Sequence, residues 1–338
     1  MAKNAYISIN NVARKIKKGY IGVDGVARKI KKAYIGINGI AYEIGVGGWS
    51  DTETGLEFTS ANAFTISVSI PSWNGTLEYH NGEGWKVWDG SEISSGENDN
   101  KQCIYIRGIG NSKITGSYNT TLGDLAWTLT GTNIECNGNI ENLLDYSIVA
   151  SGKHPTMANY CYGYMFYNCT SLISAPDLPA TTISYGCYSY MFAYCTALIS
   201  VPRSLPAATL QPNCYRSMFF YCTSLTTAPS LPAIFVSDYC CHAMFEYCTS
   251  LITIPKLYSI KMINNCYSYM FNHCTKIKLS STQTGTYTIP YQIPWSGPAS
   301  GSYAPGALTY MFNGTGGTFT ETPTVDTTYY LDSSITLV

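Results

Sequence analysis

Apolar and polar residues recur along this chain in three different patterns, and each predicts a different kind of element. From Tyr6 the run "YISINNVARKIKKG" is followed by "YIGVDGVARKIKKA" from Tyr20 and "YIGINGIAYEIGVG" from Tyr34, a repeat of 14 residues. In each unit a β-rich run meets a two-residue turn (Asn10-Asn11, Asp24-Gly25, Asn38-Gly39) and a second apolar-polar run, the signature of a type I′ hairpin. That register sets Val23 opposite Val26, so Ile21, Val23, Val26 and Ile30 share one side of the ribbon. Three hairpins in series make only a thin meander. Residues 1–46 are therefore expected to pack on something else, as an anchor or an oligomerisation element.

Residues 47–135 show the second pattern, short alternating runs between turns: "TGLEFTS", "AFTISVSI", "GTLEYH", "GWKVW", "QCIYIRGI" and "LAWTLTG". Phe64, Ile66, Val68 and Ile70 alternate with polar neighbours, as a half-buried strand requires. Strands of this length between Gly, Asn and Pro predict a small β-sandwich or barrel. Trp73, Trp85, Trp88 and Trp127 are expected in its core or rim, with a sugar-stacking site as the alternative.

The third pattern fills residues 136–338. Five copies begin at Cys161 ("CYGYMFYNCTSLISAPDLPATTI"), Cys187 ("CYSYMFAYCTALISVPRSLPAATL"), Cys214 ("CYRSMFFYCTSLTTAPSLPAIFV"), Cys240 ("CCHAMFEYCTSLITIPKLYSIKM") and Cys266 ("CYSYMFNHCTKIKL"), at steps of 26, 27, 26 and 26 residues. A sixth, "ALTYMFNGTGG", carries Ala307 and Thr315 in the cysteine places after an insertion spanning roughly 280–300. Upstream, "ECNGNIENLLDY" reads as a degenerate opening copy, with Leu143-Leu144 in the Met-Phe place. Each unit predicts a short helix or helical turn around Cys-x-x-x-Met-Phe-x-x-Cys, then a strand and a Pro-rich return. One unit cannot bury its apolar positions, whereas stacked units form a continuous column. The fold class expected is thus mostly β with short helices: hairpin repeats, a small β-sandwich, and a solenoid of period 26 with atypical end repeats.

The thirteen cysteines admit several readings. An odd count leaves one without a partner, and Cys136 and Cys241 fall outside the regular pairs. Cys-x7-Cys is not the close spacing of a zinc knuckle. A reactive thiol needs an electropositive, partly exposed setting, while these sit among Met, Phe and Leu. The residues favour core thiols over disulfides, and both over a metal site.

Charge changes the picture only at the N-terminus. Charged residues make up 12% of the chain, against about 25% in an average domain, which leaves a neutral, Tyr-rich surface. Residues 1–45 carry nine Lys and Arg against Asp24 and Glu43, a net +7, leaving −8 for the remainder. Such a segment suits an acidic assembly partner or an anionic surface; a solvated strand face with protective lysines is the alternative. Nucleic acid is not the expected partner.

No window approaches the roughly 18 apolar residues of a membrane span, so no membrane insertion is expected. "MAKNAYISINNVARKIKK" lacks the apolar stretch of an export signal, and on that reading the chain is not a secretory substrate.

Catalytic patterns are poor. His80, His154, His242 and His273 are scattered, Cys241-His242 are mere chain neighbours, and Asp177, Asp238 and Glu246 belong to different units. No phosphate-binding Gly loop or zinc-binding His pair occurs. No enzymatic activity, no cofactor and no metal are expected. What remains is surface. Tyr follows the first Cys at Tyr162, Tyr188, Tyr215 and Tyr267, and precedes the second at Tyr194, Tyr221 and Tyr247. These seven are the candidate ligand-binding residues, because Tyr supplies large contact area at low entropic cost; the alternative is that the rings merely cover the column. The residue two before the second Cys changes in every copy (Tyr167, Ala193, Phe220, Glu246, Asn272), which predicts a solvent-facing position.

"MFYNCTSLISAP", "MFAYCTALISVP" and "MFFYCTSLTTAP" resemble the BspA-like leucine-rich repeats of gut and oral bacteria, in which Ala-Phe-x-x-Cys-x-x-Leu recurs. Here Met replaces Ala and the unit is a few residues longer. The resemblance covers roughly residues 136–338 and implies a buried ladder role for Cys169, Cys195, Cys222, Cys248 and Cys274. The N-terminal triplet is similar to repeats in tail or minor structural proteins of phages that infect gut bacteria, over about 45 residues. Together the resemblances imply a non-catalytic phage tail fibre or host-receptor-binding protein, located in the virion, with a cell-surface protein or glycan as ligand and a homo-oligomeric, for instance trimeric, state. A bacterial surface adhesin or protein-interaction module, at the cell surface or in the cytoplasm of the producing cell, is the alternative; a glycan-degrading tailspike enzyme ranks behind both.

Overall fold

The computed structural model describes residues 54–116, 126–294, 304 and 306–338, and the backbone of six short strands before them. Those strands pair as three antiparallel hairpins: Tyr6–Ile9 with Val12–Lys15, Tyr20–Val23 with Val26–Lys29, and Ala33–Ile37 with Ile40–Ile44. Ile9 pairs with Val12, Val23 with Val26 and Ile37 with Ile40, the registers expected from the repeat. The turn dipeptides, Ile30 and the expected anchoring role of residues 1–46 lie outside the described residues.

The described residues are mostly β, arranged in several small open sheets with one helix. The largest sheet runs in the order Lys86–Trp88, Thr76–His80, Lys101–Ile109, Leu56–Ser60, Ile134–Asn137, Leu172–Ser174, with Gly96–Asn98 also on Lys101–Ile109. A three-stranded sheet sets Ile93–Ser94, Thr65–Val68 and Trp127–Thr130 side by side. Period-2 alternation sends Leu56, Phe58, Phe64, Ile66, Leu77, Ile104 and Ile134 into the core, while the central strands Leu56–Ser60 and Lys101–Ile109 also bury Thr59, Cys103 and Tyr105 on their other face. Trp88 and Trp127 meet edge to face at 5.1 Å, joining the two sheets in one core. Trp73 stacks on Trp88, and Trp85 lies under the Arg107 guanidinium. Ile70 departs from the alternation: the strand ends at Val68, Pro71 follows, and Ile70 is 47% exposed.

The point between residues 135 and 136 falls inside the strand Ile134–Asn137. That strand pairs antiparallel with Leu56–Ser60 and parallel with Leu172–Ser174, so the sheet runs into the first repeat without a break. "ECNGNIENLLDY" is not laid down like the later copies. Cys136 lies in the strand, and Leu143 and Leu144 are buried in the helix Asn142–Ala150, which is kinked at Asp145. Gly108 is required here, because the Leu143 carbonyl occupies the space where any Cβ would stand. The place before the first copy belongs to another segment: Ile114 and Thr115 N–H donate to the Cys161 carbonyl, and Trp127 N–H donates to the Met165 carbonyl.

The other end is covered by a four-stranded sheet in the order Tyr287–Gln292, Thr328–Asp332, Lys278–Ser280, Gly316–Gly317. The insertion thus supplies its outer strand. Thr336–Leu337 pairs parallel with Thr253–Ile254.

Candidate binding surface

The Cys-x-x-x-Met-Phe-x-x-Cys segments are not helical. In all six copies the backbone is a run of consecutive turns in which every fourth residue has φ between 50° and 77°. In the second copy these are Gly186, Tyr190 and Tyr194; in the fourth, Tyr239, Ala243 and Tyr247. Alternate amides do different work. Ser189, Met191, Ala193 and Cys195 N–H close turns onto the carbonyls three residues back, while Tyr188, Tyr190, Phe192 and Tyr194 N–H donate to Cys214, Arg216, Met218 and Phe220 of the next copy. A left-handed non-Gly residue costs about 1–2 kcal/mol, and the bonds between copies, with the ring contacts they align, offset it.

A four-residue period places like side chains in columns. Phe166, Phe192, Phe219, Phe245, Phe271 and Phe312 form one unbroken ladder with centroids 5.5–5.7 Å apart and planes within 13°. Phe58 and Trp127 meet its first ring and Tyr291 its last. Each of these phenylalanines is fully buried, and burial of one such side chain contributes roughly 1.5–3 kcal/mol.

The thirteen cysteines are all buried and unpaired. Cys195, Cys222, Cys248 and Cys274 each donate S–H to the carbonyl of the Phe one copy earlier, at 2.9–3.1 Å, and Cys169 donates to the Trp127 carbonyl at 3.1 Å. This place therefore takes a small buried donor, and in the sixth copy Thr315 donates to the Phe312 carbonyl instead. Burial pushes the thiols of Cys169, Cys195, Cys222, Cys248 and Cys274 up, to about 12 for Cys169; an un-ionised thiol in an apolar column is a packing group rather than a nucleophile.

The seven candidate tyrosines divide. Tyr162, Tyr188, Tyr215 and Tyr267 are 0–2% exposed, stacked in a column of their own with 5.6 Å between Tyr162 and Tyr188 and 5.9 Å between Tyr188 and Tyr215. Their rings are core, so they cannot touch a ligand on the surface. Burial holds their phenols well above the usual range. One signal in the sequence pointed inward: the same place holds Cys241 in the fourth copy and Leu308 in the sixth, both buried. Cys241, set apart as lying outside the regular pairs, belongs to this column.

Tyr194, Tyr221 and Tyr247 lie on the flank instead, half-buried or exposed. They form a row with centroid spacings of 5.4 and 5.5 Å, and His273 extends it by stacking on Tyr247 at 4.6 Å. His273 precedes Cys274 as the tyrosines precede their cysteines, a register that sequence reasoning passed over. Beside the row run Tyr167, Phe220 and Glu246, half-buried, while Ala193 and Asn272 at the same place are buried. The variable position is thus partly covered rather than solvent-facing. Asn272 Nδ2 donates to Glu246 Oε1 at 2.6 Å and Asn313 Nδ2 to Asn272 Oδ1 at 3.1 Å; burial raises the Glu246 carboxyl above its ordinary value. At the first-copy end a recess of about 280 Å³ is lined by Trp127, Leu129, Tyr167 and Asn168.

His80, His154 and His242 lie apart, in the strand Thr76–His80, beside the kinked helix and in the fourth copy. His242 Nδ1 lies 2.6 Å from Ser268 Oγ, but Ser268 is fully buried, so its hydroxyl cannot reach a substrate. Burial, then the charge on Arg216, lowers His242 to about 4. His154 pairs with Glu141 at 2.8 Å beside the kinked helix. Among the described residues no cluster of three His, Cys, Asp or Glu is placed to hold a metal ion, and no helix is long and apolar enough to cross a membrane. Comparisons of the chain with protein-family models, with curated proteins and with solved structures give no match.

Proposed function

We propose that this chain is a non-catalytic binding protein in which a BspA-like solenoid of period 26 presents the row Tyr194, Tyr221, Tyr247 and His273 to a cell-surface protein or glycan. The observation that supports the reading is the row itself: rings from four successive copies, held at nearly equal spacing on an accessible flank. Because the rings pack against one another along the row, a ligand would meet their edges and hydroxyls. Extended contact of that kind gathers many weak interactions. The setting proposed is a phage tail fibre or host-receptor-binding protein, with residues 1–46 joining an assembly partner and making a homo-oligomer. A bacterial surface adhesin is the second reading, which the resemblance of residues 136–338 supports.

The test is binding of fluorescently labelled full-length chain to intact cells of a panel of gut bacteria. Tyr194→Ser, Tyr221→Ser and Tyr247→Ser combined should abolish binding to any strain that the parent chain stains, with the melting curve little changed. Equal staining by the triple variant would contradict the assignment of the row. Light scattering on the same samples reads the oligomeric state.

A further inference from the structure

One irregularity of the repeat has a physical counterpart away from the aromatic row. The second copy is one residue longer than its neighbours: "SVPRSLP" from Ser200 stands where the first copy has "SAPDLP" from Ser174 and the third "TAPSLP" from Thr227. Where the extra residue enters, pairing between the first two copies stops. Ser174 bridges Ser200, and Ala175 N–H donates to the Ser200 carbonyl. Beyond that point Asp177 bridges back to Asn139 and Ser204 bridges forward to Ser230, so the two copies turn away from each other. Between them lies a groove of about 630 Å³, within the ~300–1,000 Å³ range of small-molecule sites.

The groove carries unused polar groups of both signs. Asp177 and Arg203 line it, both exposed, and neither forms an ion pair or side-chain hydrogen bond with another described residue. The N–H groups of Arg203 and Ser204 have no partner among the described residues, and the Ser200 and Ser204 hydroxyls make no hydrogen bond to them either. A guanidinium beside two successive open amides is a receptor for a planar anion. On the other wall the Asp177 carboxylate can accept from sugar hydroxyls and disfavours a doubly charged ion such as phosphate, while Asn139, whose Oδ1 accepts from the Glu141 N–H, has its amide N–H groups to donate. Pro179 and Pro206 add apolar contact.

We propose that this groove binds a carboxylate-bearing sugar within an acidic polysaccharide, the carboxylate on Arg203 and the Arg203–Ser204 amides and the ring hydroxyls on Asp177 and Asn139. The site stands independently of the aromatic row and would hold even if that row bound nothing.

Calorimetric titration of the full chain tests it with three probes: a short oligogalacturonate, a neutral cello-oligosaccharide of equal length, and inorganic phosphate. The oligogalacturonate should bind saturably, with the other two at least about tenfold weaker. Arg203→Ala, at an exposed position that should leave the melting temperature unchanged, should weaken oligogalacturonate binding by about tenfold or more. Deleting Ser204, which restores the 26-residue step, should remove binding by closing the groove; Arg203→Ala alone carries the test if that deletion does not fold. No saturable binding of oligogalacturonate, undiminished binding by Arg203→Ala, phosphate binding as tight as the uronate, or equal binding of the neutral sugar would each overturn the proposal.

Discussion

The sheet region from Leu56 to Asn137 and the turn segments from Tyr160 to Thr315 bury similar residues by different rules. In the sheets a period of two sends alternate side chains inward, and Phe58, Ile66 and Ile104 follow from it. In the turn segments a left-handed residue every fourth position resets the chain, so inward places come in adjacent pairs: Cys187 with Tyr188, then Met191 with Phe192. A helix makes nearly the same pattern over ten residues, since 3.6 and 4 barely separate in so short a span. What distinguishes the two is the destination of the backbone amides, half of which go to the next copy.

The largest effect expected from breaking this arrangement is at Phe192. Its ring lies between Phe166 and Phe219, so Phe192→Ala should cost about 3–5 kcal/mol in denaturant unfolding. An unchanged unfolding midpoint would contradict the ladder.

The thiols give a pH-dependent signature. Burial raises the pKa of Cys169, Cys195 and Cys222 in the folded chain, whereas an unfolded thiol titrates near ~8.5. The folded state therefore holds more protons above that pH, so this contribution is fully present below about 8.5 and is lost as pH rises toward the folded values. Melting temperature should fall progressively above about pH 8.5, and less so in Cys195→Ala. Alkylation under denaturing, non-reducing conditions should modify all thirteen cysteines, and native alkylation almost none; intact disulfides in the denatured mass would contradict the unpaired state.

A smaller effect separates the two tyrosine columns. The Tyr188 hydroxyl is buried without a partner, so Tyr188→Phe should be neutral or stabilise by up to about 1 kcal/mol. Tyr194→Phe, on the flank, should change stability by less than about 0.5 kcal/mol while reducing cell binding. Loss of cell binding in Tyr188→Phe would place the inner column in the site.

Much of this was legible in the residues. The five aligned copies expose the apolar ladder, and the strand registers of the three N-terminal hairpins match the 14-residue repeat. The conformation of the turn segments was not legible, because Tyr, Asn, Ser, Ala and His at the left-handed places share no feature beyond their spacing, with Gly marking only Gly186, Gly306 and Gly314. The inner tyrosines misled for a physical reason: a phenol suits both a wet flank and a packed column, and only Cys241 and Leu308 at the same place reveal the column. The caps were hidden because Ile114, Thr115 and Trp127 act through backbone amides, which no side-chain pattern encodes.

The account rests on the left-handed fourth residue, and two buried alanines test it under matched conditions. Ala243 sits at φ 53° in the fourth copy, while Ala193, also buried, in the second copy, is outside the left-handed set. Replacement by glycine removes one methyl at either site, but only at Ala243 does it also relieve the backbone. Equilibrium unfolding of Ala193→Gly and Ala243→Gly should therefore differ by at least about 1 kcal/mol, with Ala193→Gly the less stable. Equal costs, or a greater loss at Ala243, would contradict the turn geometry on which every column depends.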